Sequence, residues 1–221
     1  MSITSCAALP TEWTVADVQA RLGHIPPERI RTYPAPGTAT EQDVLDAEAR
    51  SDRICELVDG ILVEKPMASY ESLLAGRIIH TLWNCLEEQD LGIVLGEAGM
   101  LRIQPGQVRV PDVSFIRWER MPGRRLPDQR IYPLAPDLAV EVLSESNTEA
   151  EMQRKLHEYF STGTRLVWYI DPRTRTARVY TAEDQWDDLD ANGALSGGEV
   201  LPGFRLSLEK LFGWADRHRG R

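Results

Sequence analysis

Two acidic residues, Asp112 and Glu141, lie within segments that otherwise have the composition of buried strands. Residues 109–116 and 138–143 are rich in β-branched and aliphatic side chains, which favours strands buried on at least one face. A carboxylate in such a strand is costly unless it is paired or holds a cation. Lys155 follows in the next helix. Two strand carboxylates and one lysine are the groups needed to bind a divalent metal ion and activate water against a phosphodiester.

The helix that we expect over residues 148–162 gives Lys155 a defined direction. Thr148-Glu149-Ala150-Glu151 has the pattern of a capping box that begins the helix. Lys155 lies at the edge of the apolar stripe, so its aliphatic stem can follow the sheet while the ammonium reaches the end of a neighbouring strand. The alternative is an (i, i+4) ion pair between Lys155 and Glu151 on the helix surface.

Two further glutamates are candidate members of the site. Glu56 follows an expected strand in which it shares a face with Ile54 and Val58, so it needs a partner cation unless the strand is an exposed edge. Glu71 lies within the apolar arc of a long helix expected over residues 69–88. Because it is in the first turn, Glu71 either points to the site or is hydrated and stabilised by the helix dipole.

Composition limits the classes of partner. The chain has 221 residues and a formal net charge of −9, which argues against extensive non-specific binding to duplex nucleic acid. Basic residues nevertheless cluster in the loop between the two acidic strands and at the end of the chain, which gives a local patch beside the acidic site for a phosphate backbone, or simply a solvated loop and tail. These residues are Arg117, Arg120, Arg124, Arg125 and Arg130 in the loop, and Arg217, Arg219 and Arg221 at the end.

Several other chemistries and locations are excluded by the sequence. The four histidines are scattered without metal-type spacing, and no serine-hydrolase elbow or phosphate-binding glycine loop is present. Three cysteines without C-x-x-C spacing favour free thiols in a reducing compartment. The sequence contains no signal peptide and no apolar run long enough to span a bilayer, so we expect a cytoplasmic protein without membrane contact.

The order of elements predicts an α/β fold. Residues 1–50 are expected to form an N-terminal helical extension, and residues 51–221 the main domain. Asp59-Gly60 between two short apolar runs is a strong β-hairpin signal, because both turn positions favour positive φ. A helix, several strands, a helix and a further strand then follow, which indicates an α/β sandwich built on one mixed sheet.

Pro111-Asp112, followed 29 residues later by Glu141-Val142-Leu143, resembles the PD-(D/E)xK nuclease signature. With several further motifs, the chain is similar to the Uma2 family of restriction-endonuclease-like proteins over about residues 54–212. These motifs are Glu56-Leu57-Val58-Asp59-Gly60, Pro111-Asp112-Val113, Val140-Glu141-Val142-Leu143-Ser144, Lys155 with Tyr159, Val167-Trp168-Tyr169-Ile170-Asp171-Pro172 and Leu201-Pro202-Gly203-Phe204.

The resemblance implies a restriction-endonuclease-like mixed sheet flanked by helices, with an N-terminal β-hairpin extension. It implies that Asp112, Glu141 and the backbone carbonyl of Val142 hold Mg²⁺, for which Mn²⁺ could substitute. Leu143 stands where the signature has its lysine, so the resemblance assigns that role to Lys155. It also adds Glu56 as a metal ligand, directly or through water. Clustered carboxylates without a cation repel one another, so at least one member should have a raised pKa.

Two departures and several alternatives accompany this expectation. Tyr70-Glu71 stands where a histidine is often found in the family, so Glu71 either replaces it or that function is absent. The favoured activity is a metal-dependent endonuclease acting on DNA, with a homodimer permitted by apolar edge strands. A catalytically silent nuclease-fold module that binds nucleic acid or protein remains open, as does a metal phosphoesterase acting on small nucleotides.

Overall fold

The computed structural model describes residues 13–51, 53–66 and 68–218. The described part of the chain contains five α-helices and thirteen strands. The helices are α1 (Val15–Arg21), α2 (Glu41–Ser51), α3 (Ser69–Gln89), α4 (Glu149–Ser161) and α5 (Leu208–Asp216). The strands are β1 (Cys55–Val58), β2 (Ile61–Glu64), β3 (Gly92–Gly96), β4 (Met100–Gln104), β5 (Gln107–Arg109), β6 (Val113–Arg117), β7 (Ile131–Tyr132), β8 (Leu138–Val142), β9 (Leu166–Asp171), β10 (Thr176–Ala182), β11 (Gln185–Leu189), β12 (Ala194–Ser196) and β13 (Arg205–Ser207).

A six-stranded mixed sheet, in the order β11-β10-β9-β8-β6-β3, forms the centre of the fold. Strands β8 and β9 are parallel and are joined through α4, whereas the other neighbours are antiparallel. The apolar runs of β8 and β9 are buried on both faces, as expected for parallel strands covered by helices. The expected α/β class and the mixed sheet flanked by helices are confirmed.

Helices cover both faces of this sheet. Leu74, Ile78 and Leu82 recur at helical spacing on α3 and, together with α5, pack on the face that presents Phe115 and Trp168. Met152, Leu156 and Tyr159 of α4 pack on the opposite face, against Ala139, Val167 and Tyr169. Because side chains alternate along a strand, residues 139 and 141 of β8 point to the α4 face.

A second, five-stranded sheet, in the order β2-β1-β5-β4-β7, corrects the expectation of a single mixed sheet. The β1–β2 hairpin turns at Asp59 and Gly60, whose φ angles are 51° and 72°, as the sequence predicted. Strand β5 has only three residues and was not recognised as a strand. Its pairing with both β1 and β4 places the hairpin in a larger sheet instead of leaving it as an extension.

Part of the N-terminal segment packs on this hairpin. Val18, Leu22 and Ile25 contact Val58 and Ile61 in one apolar cluster. Val44 of α2 is buried against β1 and β5 in a second cluster. The division at residue 50 stays a prediction. Residues 1–12, with Cys6, and the terminal Arg219 and Arg221 lie outside the described residues. None of the helices described is both long and apolar enough to cross a lipid bilayer.

Candidate active site

Asp112 and Glu141 lie opposite each other on neighbouring antiparallel strands. Asp112 immediately precedes β6, and Val113 pairs with Val140 of β8. The next pair along this register is Asp112 with Glu141, so both side chains project from the α4 face of the six-stranded sheet. Glu141 is buried, whereas Asp112 is partly exposed. The sheet therefore brings together two carboxylates that are distant in the sequence.

Lys155 reaches these carboxylates from α4. Its Nζ lies 3.2 Å from Glu141 Oε1 and 3.2 Å from Glu56 Oε1, and only 3% of the residue is exposed. The Tyr159 hydroxyl, one turn further along α4, donates a hydrogen bond of 2.7 Å to the same Glu141 oxygen. Lys155 is thus directed into the protein and forms no surface pair with Glu151, which was the alternative left open by the sequence.

Glu56 belongs to the five-stranded sheet and completes this cluster. Strand β1 lies between β2 and β5, so it is a central strand, and Glu56 is 1% exposed. Arg109 donates to Glu56 Oε2 at 2.7 Å, and the Val110 N–H donates to Glu56 Oε1 at 3.1 Å. The possibility that an edge strand exposes Glu56 is therefore excluded. Both of its carboxylate oxygens are engaged by protein cations or donors.

The electrostatics distinguish the two buried glutamates. Burial alone would raise the pKa of Glu56, but Lys155, Arg109 and Lys65 outweigh burial and hold that pKa well below its usual range. Burial raises the pKa of Glu141 above its usual range, and nearby Asp112 adds to the rise, although Lys155 and Lys65 oppose it. A raised pKa was expected for at least one carboxyl, but burial and not repulsion between carboxylates is its main cause at Glu141. Of the two buried glutamates, Glu141 is the one whose negative charge is less compensated.

Lys65 is a member of the cluster that the sequence analysis missed. It follows β2, is buried, and places its Nζ 2.9 Å from Asp112 Oδ1. Its ammonium also donates to the Val110 carbonyl oxygen, while Asp112 Oδ2 accepts the Val142 N–H at 2.6 Å. A lysine immediately after an apolar strand was the signal that could have identified it.

A chain of alternating charges extends from the cluster towards the surface. Arg109 donates to Glu158 Oε2 at 2.6 Å, and Arg154 donates to Glu158 Oε1 at 2.7 Å. Arg154 also pairs with Asp59, the hairpin turn residue, at 2.8 Å. Arg109 lies between Val108 and Val110, so the criterion that identified Asp112, a charge within an apolar run, would have identified it too. This chain couples α4 to the five-stranded sheet.

Glu151 forms neither the ion pair with Lys155 nor the capping box that the sequence suggested. Thr148 caps α4 by accepting the Glu151 N–H at 3.1 Å, but the Glu151 carboxylate does not complete the capping box. It pairs instead with buried Arg29 of the N-terminal segment, through contacts of 2.6 and 3.0 Å, and accepts from Asn147. Arg29 also donates to the Ser146 carbonyl oxygen. The N-terminal segment is thereby fixed to the beginning of the helix that carries Lys155.

Glu71 stands apart from the other candidates. It is half-buried in the first turn of α3 and lines a cavity of about 870 Å³ together with Tyr70, Ser144 and Arg173. Among the described residues, it forms no hydrogen bond or ion pair with the clustered carboxylates or lysines. From the first turn of α3, Glu71 lines this neighbouring cavity. The involvement of Glu71 in the carboxylate site stays a prediction.

The loop arginines lie at the opposite end of the strands from the carboxylates. The extended segment from Asp112 to Arg117, which includes β6, spans about 17 Å at roughly 3.4 Å per residue. The loop leaves from the Arg117 end. Arg120 pairs there with Asp137 at 3.0 Å, and Arg124 with Asp90 at 2.7 Å. This corrects the expectation of a basic patch beside the acidic site, formed by Arg117, Arg120, Arg124 and Arg125. The loop is close in sequence to both acidic strands, but sequence distance does not show at which end of those strands the loop lies.

Access to the cluster is provided on the Asp112 side. Asp112 lines a cavity of about 460 Å³, bounded by Gly76 of α3, Tyr132 of β7 and the turn 96–99. Glu141 Oε2 has no hydrogen-bond partner among the residues that the structure describes. Two opposed carboxylates, one with a free oxygen and one on a residue that lines a cavity, fit Mg²⁺, which binds through one or two carboxylates and retains water. No group of three or more His, Cys, Asp or Glu among the described residues is arranged to hold a metal ion, so water and backbone oxygens would complete the coordination.

Comparisons with known proteins identify the family and support the fold. The family model Uma2, described as "putative restriction endonuclease", matches residues 41–209. The chain belongs to the Uma2 family. The match includes every clustered carboxylate and lysine described above, and it begins with α2, so the family extends further towards the N-terminus than the sequence motifs indicated.

A solved structure shows the same fold. It is the crystal structure of a "putative nuclease belonging to DUF820" from Anabaena variabilis ATCC 29413, with a TM-score of 0.66 and 22% sequence identity. The similarity covers 75% of this chain and 93% of that chain. At this identity, the comparison shows the fold alone. A search among curated proteins gave no match.

Proposed function

We propose that the protein is a metal-dependent endonuclease that hydrolyses phosphodiester bonds in DNA, with Mg²⁺ as cofactor and Mn²⁺ as substitute. The observation that carries this proposal is the convergence of Asp112, Glu141 and Lys155, from two neighbouring strands and a helix, beside a cavity. Membership of the Uma2 family, described as "putative restriction endonuclease", supports the same reaction class.

Asp112 and Glu141, with the backbone carbonyl of Val142, would hold the metal ion. When bound, the cation supplies Lewis acidity for the attack of water on phosphorus and for the charge that develops there. Burial of Glu141 keeps bulk water away from this carboxylate and strengthens the electrostatic interactions around it. The raised pKa of Glu141 is consistent with a carboxylate that still needs a cation.

Lys155 would orient the attacking water and add positive charge beside the phosphate. Glu141 and Glu56 hold its ammonium between them, and Tyr159 fixes the Glu141 oxygen that Lys155 contacts. Because Glu56 is almost fully buried and its charge is compensated by Arg109, Lys155 and Lys65, we assign to Glu56 the positioning of Lys155 and not direct metal binding. Glu71 and the loop arginines are left without a role in the chemical step.

Plasmid nicking tests this function. Wild-type protein with supercoiled plasmid and Mg²⁺ or Mn²⁺ should produce nicked circles, and EDTA should abolish them. The variants Asp112→Asn, Glu141→Gln and Lys155→Met should each lose about 100-fold or more in rate, the scale of removing one preorganised electrostatic group. Glu209→Gln, an exposed glutamate on α5, is the matched control and should nick like wild type.

The outcomes separate the candidate functions. Full activity of Glu141→Gln or Asp112→Asn would show that the carboxylate pair is not the catalytic centre. Plasmid binding without nicking in either metal would favour a silent nucleic-acid-binding module. Turnover of small nucleotides without nicking would favour a phosphoesterase. The homodimer and the cytoplasmic location stay predictions, and light scattering on purified protein tests the first of them.

A further inference from the structure

Lysine is rare in this protein, and its distribution is uneven. The sequence has 25 basic residues of the Lys and Arg types, yet lysine occurs only at positions 65, 155 and 210. Lys65 and Lys155 are both buried at the carboxylate cluster, whereas Lys210 is exposed on α5. Arginine serves every other basic position, including the buried ion pairs of Arg29 and Arg109. The cations that contact Asp112 and Glu141 are therefore lysines, whose charge is a compact point at the end of a flexible stem.

Lys65 holds the carboxylate of Asp112, the residue of the pair that lines the cavity. Its Nζ is 2.9 Å from Asp112 Oδ1, and the other Asp112 oxygen accepts the Val142 N–H at 2.6 Å. Both oxygens of Asp112 are thus engaged by donors of the protein itself. The Val142 N–H is fixed in the backbone of β8, but the Lys65 ammonium can move by rotating the bonds of its side chain. A divalent cation at Oδ1 would therefore compete with the ammonium for the same carboxylate oxygen.

We propose that Lys65 is a positioning residue that competes with the divalent cation for Asp112. Without metal, the ammonium neutralises Asp112 and keeps its carboxylate directed at the cluster. When a cation binds, the ammonium leaves Oδ1, because two positive charges on one carboxylate oxygen repel each other. This inference rests on the proposed function, since it takes Asp112 as a metal ligand. It adds a second lysine whose role is opposite to that of Lys155.

Substitutions of Lys65 in two directions distinguish charge from packing. Lys65→Met keeps the apolar stem but removes the competitor, so the protein should bind Mn²⁺ about tenfold or more tightly, since one broken ion pair of about 1.4 kcal/mol corresponds to a factor of ten. Lys65→Arg keeps the charge and can pair with the carboxylate through two parallel hydrogen bonds, so it should bind Mn²⁺ more weakly than wild type.

The binding of Mn²⁺ alone, followed by the electron paramagnetic resonance of free Mn²⁺, measures these affinities without catalysis. Full-length wild type, Lys65→Met, Lys65→Arg, Lys65→Gln and Asp112→Asn are titrated, with Lys210→Met as the matched lysine control. Lys210→Met should bind as wild type does, and Asp112→Asn should lose the site. Circular dichroism shows which variants are folded. If Lys65→Met is unfolded, Lys65→Gln tests the same removal of charge.

A second measurement needs no substitution at Lys65. With ¹³C-labelled lysine, wild-type protein gives side-chain signals from three residues, assigned with Lys155→Met and Lys210→Met. Titration with Mg²⁺ should shift the Lys65 signal and leave the Lys210 signal in place. A Lys65 signal that stays unchanged while Mg²⁺ binds would overturn the competition.

The results also separate this inference from the proposed function. If Asp112→Asn abolishes Mn²⁺ binding but Lys65→Met or Lys65→Gln binds no more tightly than wild type, the competition is wrong and the metal site stands. If neither wild type nor any Lys65 variant binds Mn²⁺, the metal site itself is wrong and the inference falls with it.

Discussion

Arg109 connects the two sheets through α4, and its removal should destabilise the whole fold. Its guanidinium contacts Glu56 at 2.7 Å and Glu158 at 2.6 Å, and all three side chains are at least 94% buried. Removing one partner of a buried ion pair typically costs about 3–5 kcal/mol, because the remaining charge is left uncompensated. Arg109→Met tests this role, because it conserves much of the volume of the side chain and removes its charge.

The structure places the expected cost at the lower end of that range. Without Arg109, Glu56 keeps Lys155 at 3.2 Å and the Val110 N–H, and Glu158 keeps Arg154 at 2.7 Å. Neither carboxylate loses its last cation, so we expect a loss of about 3 kcal/mol in the free energy of unfolding. For a domain of this size, that corresponds to a decrease of roughly 6–12 °C in Tm.

Urea denaturation followed by circular dichroism measures this loss at neutral pH. Arg50→Met is the matched control, because Arg50 forms an exposed (i, i+4) pair with Asp46 on α2 and should cost about 0.5 kcal/mol or less. A double variant, Arg109→Met with Glu158→Gln, should cost less than the sum of the two single changes, since each removes the same contact. Stability of Arg109→Met within the range of the Arg50→Met control would refute a structural role for the charge chain.

Three further predictions concern pH and backbone freedom. Burial alone would raise the pKa of Glu151, but Arg29, with Lys155 and Asn147, outweighs burial and lowers that pKa. The ionised Glu151 therefore stabilises the protein at neutral pH, and this contribution is lost as pH falls through the folded-state pKa. Glu151→Gln should cost about 3 kcal/mol at neutral pH, and its difference from wild type should shrink below about pH 4; an equal difference at all pH values would contradict this. Gly76→Ala within α3 should stabilise by roughly 0.5–1 kcal/mol, because an added Cβ meets open space. Gly60→Ala should destabilise in the same urea assay, because its φ is +72° and a Cβ would lie 2.6 Å from the Gly37 backbone.

The sequence by itself determined the local features of this protein. The Asp59-Gly60 turn, the long α3 helix and the apolar runs of β8 and β9 follow from short-range turn chemistry and periodicity, and the structure contains them all. Asp112 and Glu141 were identifiable because a carboxylate within an apolar strand requires a compensating partner wherever that strand lies. Membership of the Uma2 family was also evident from motifs in a fixed order.

Only the tertiary structure decided which charged side chains form ion pairs with one another. Periodicity gives the face on which a side chain lies, but an ion pair depends on which elements pack together and at which end. Lys155 therefore meets Glu141 and Glu56 instead of Glu151, and Lys65 meets Asp112. The second sheet, formed through the three-residue strand β5, brings Glu56 and Arg109 to α4, a contact between elements far apart in the sequence that no local pattern encodes. The same reason places the arginine loop at the far end of β6, since antiparallel strands share a connecting loop only at the end opposite to Asp112 and Glu141.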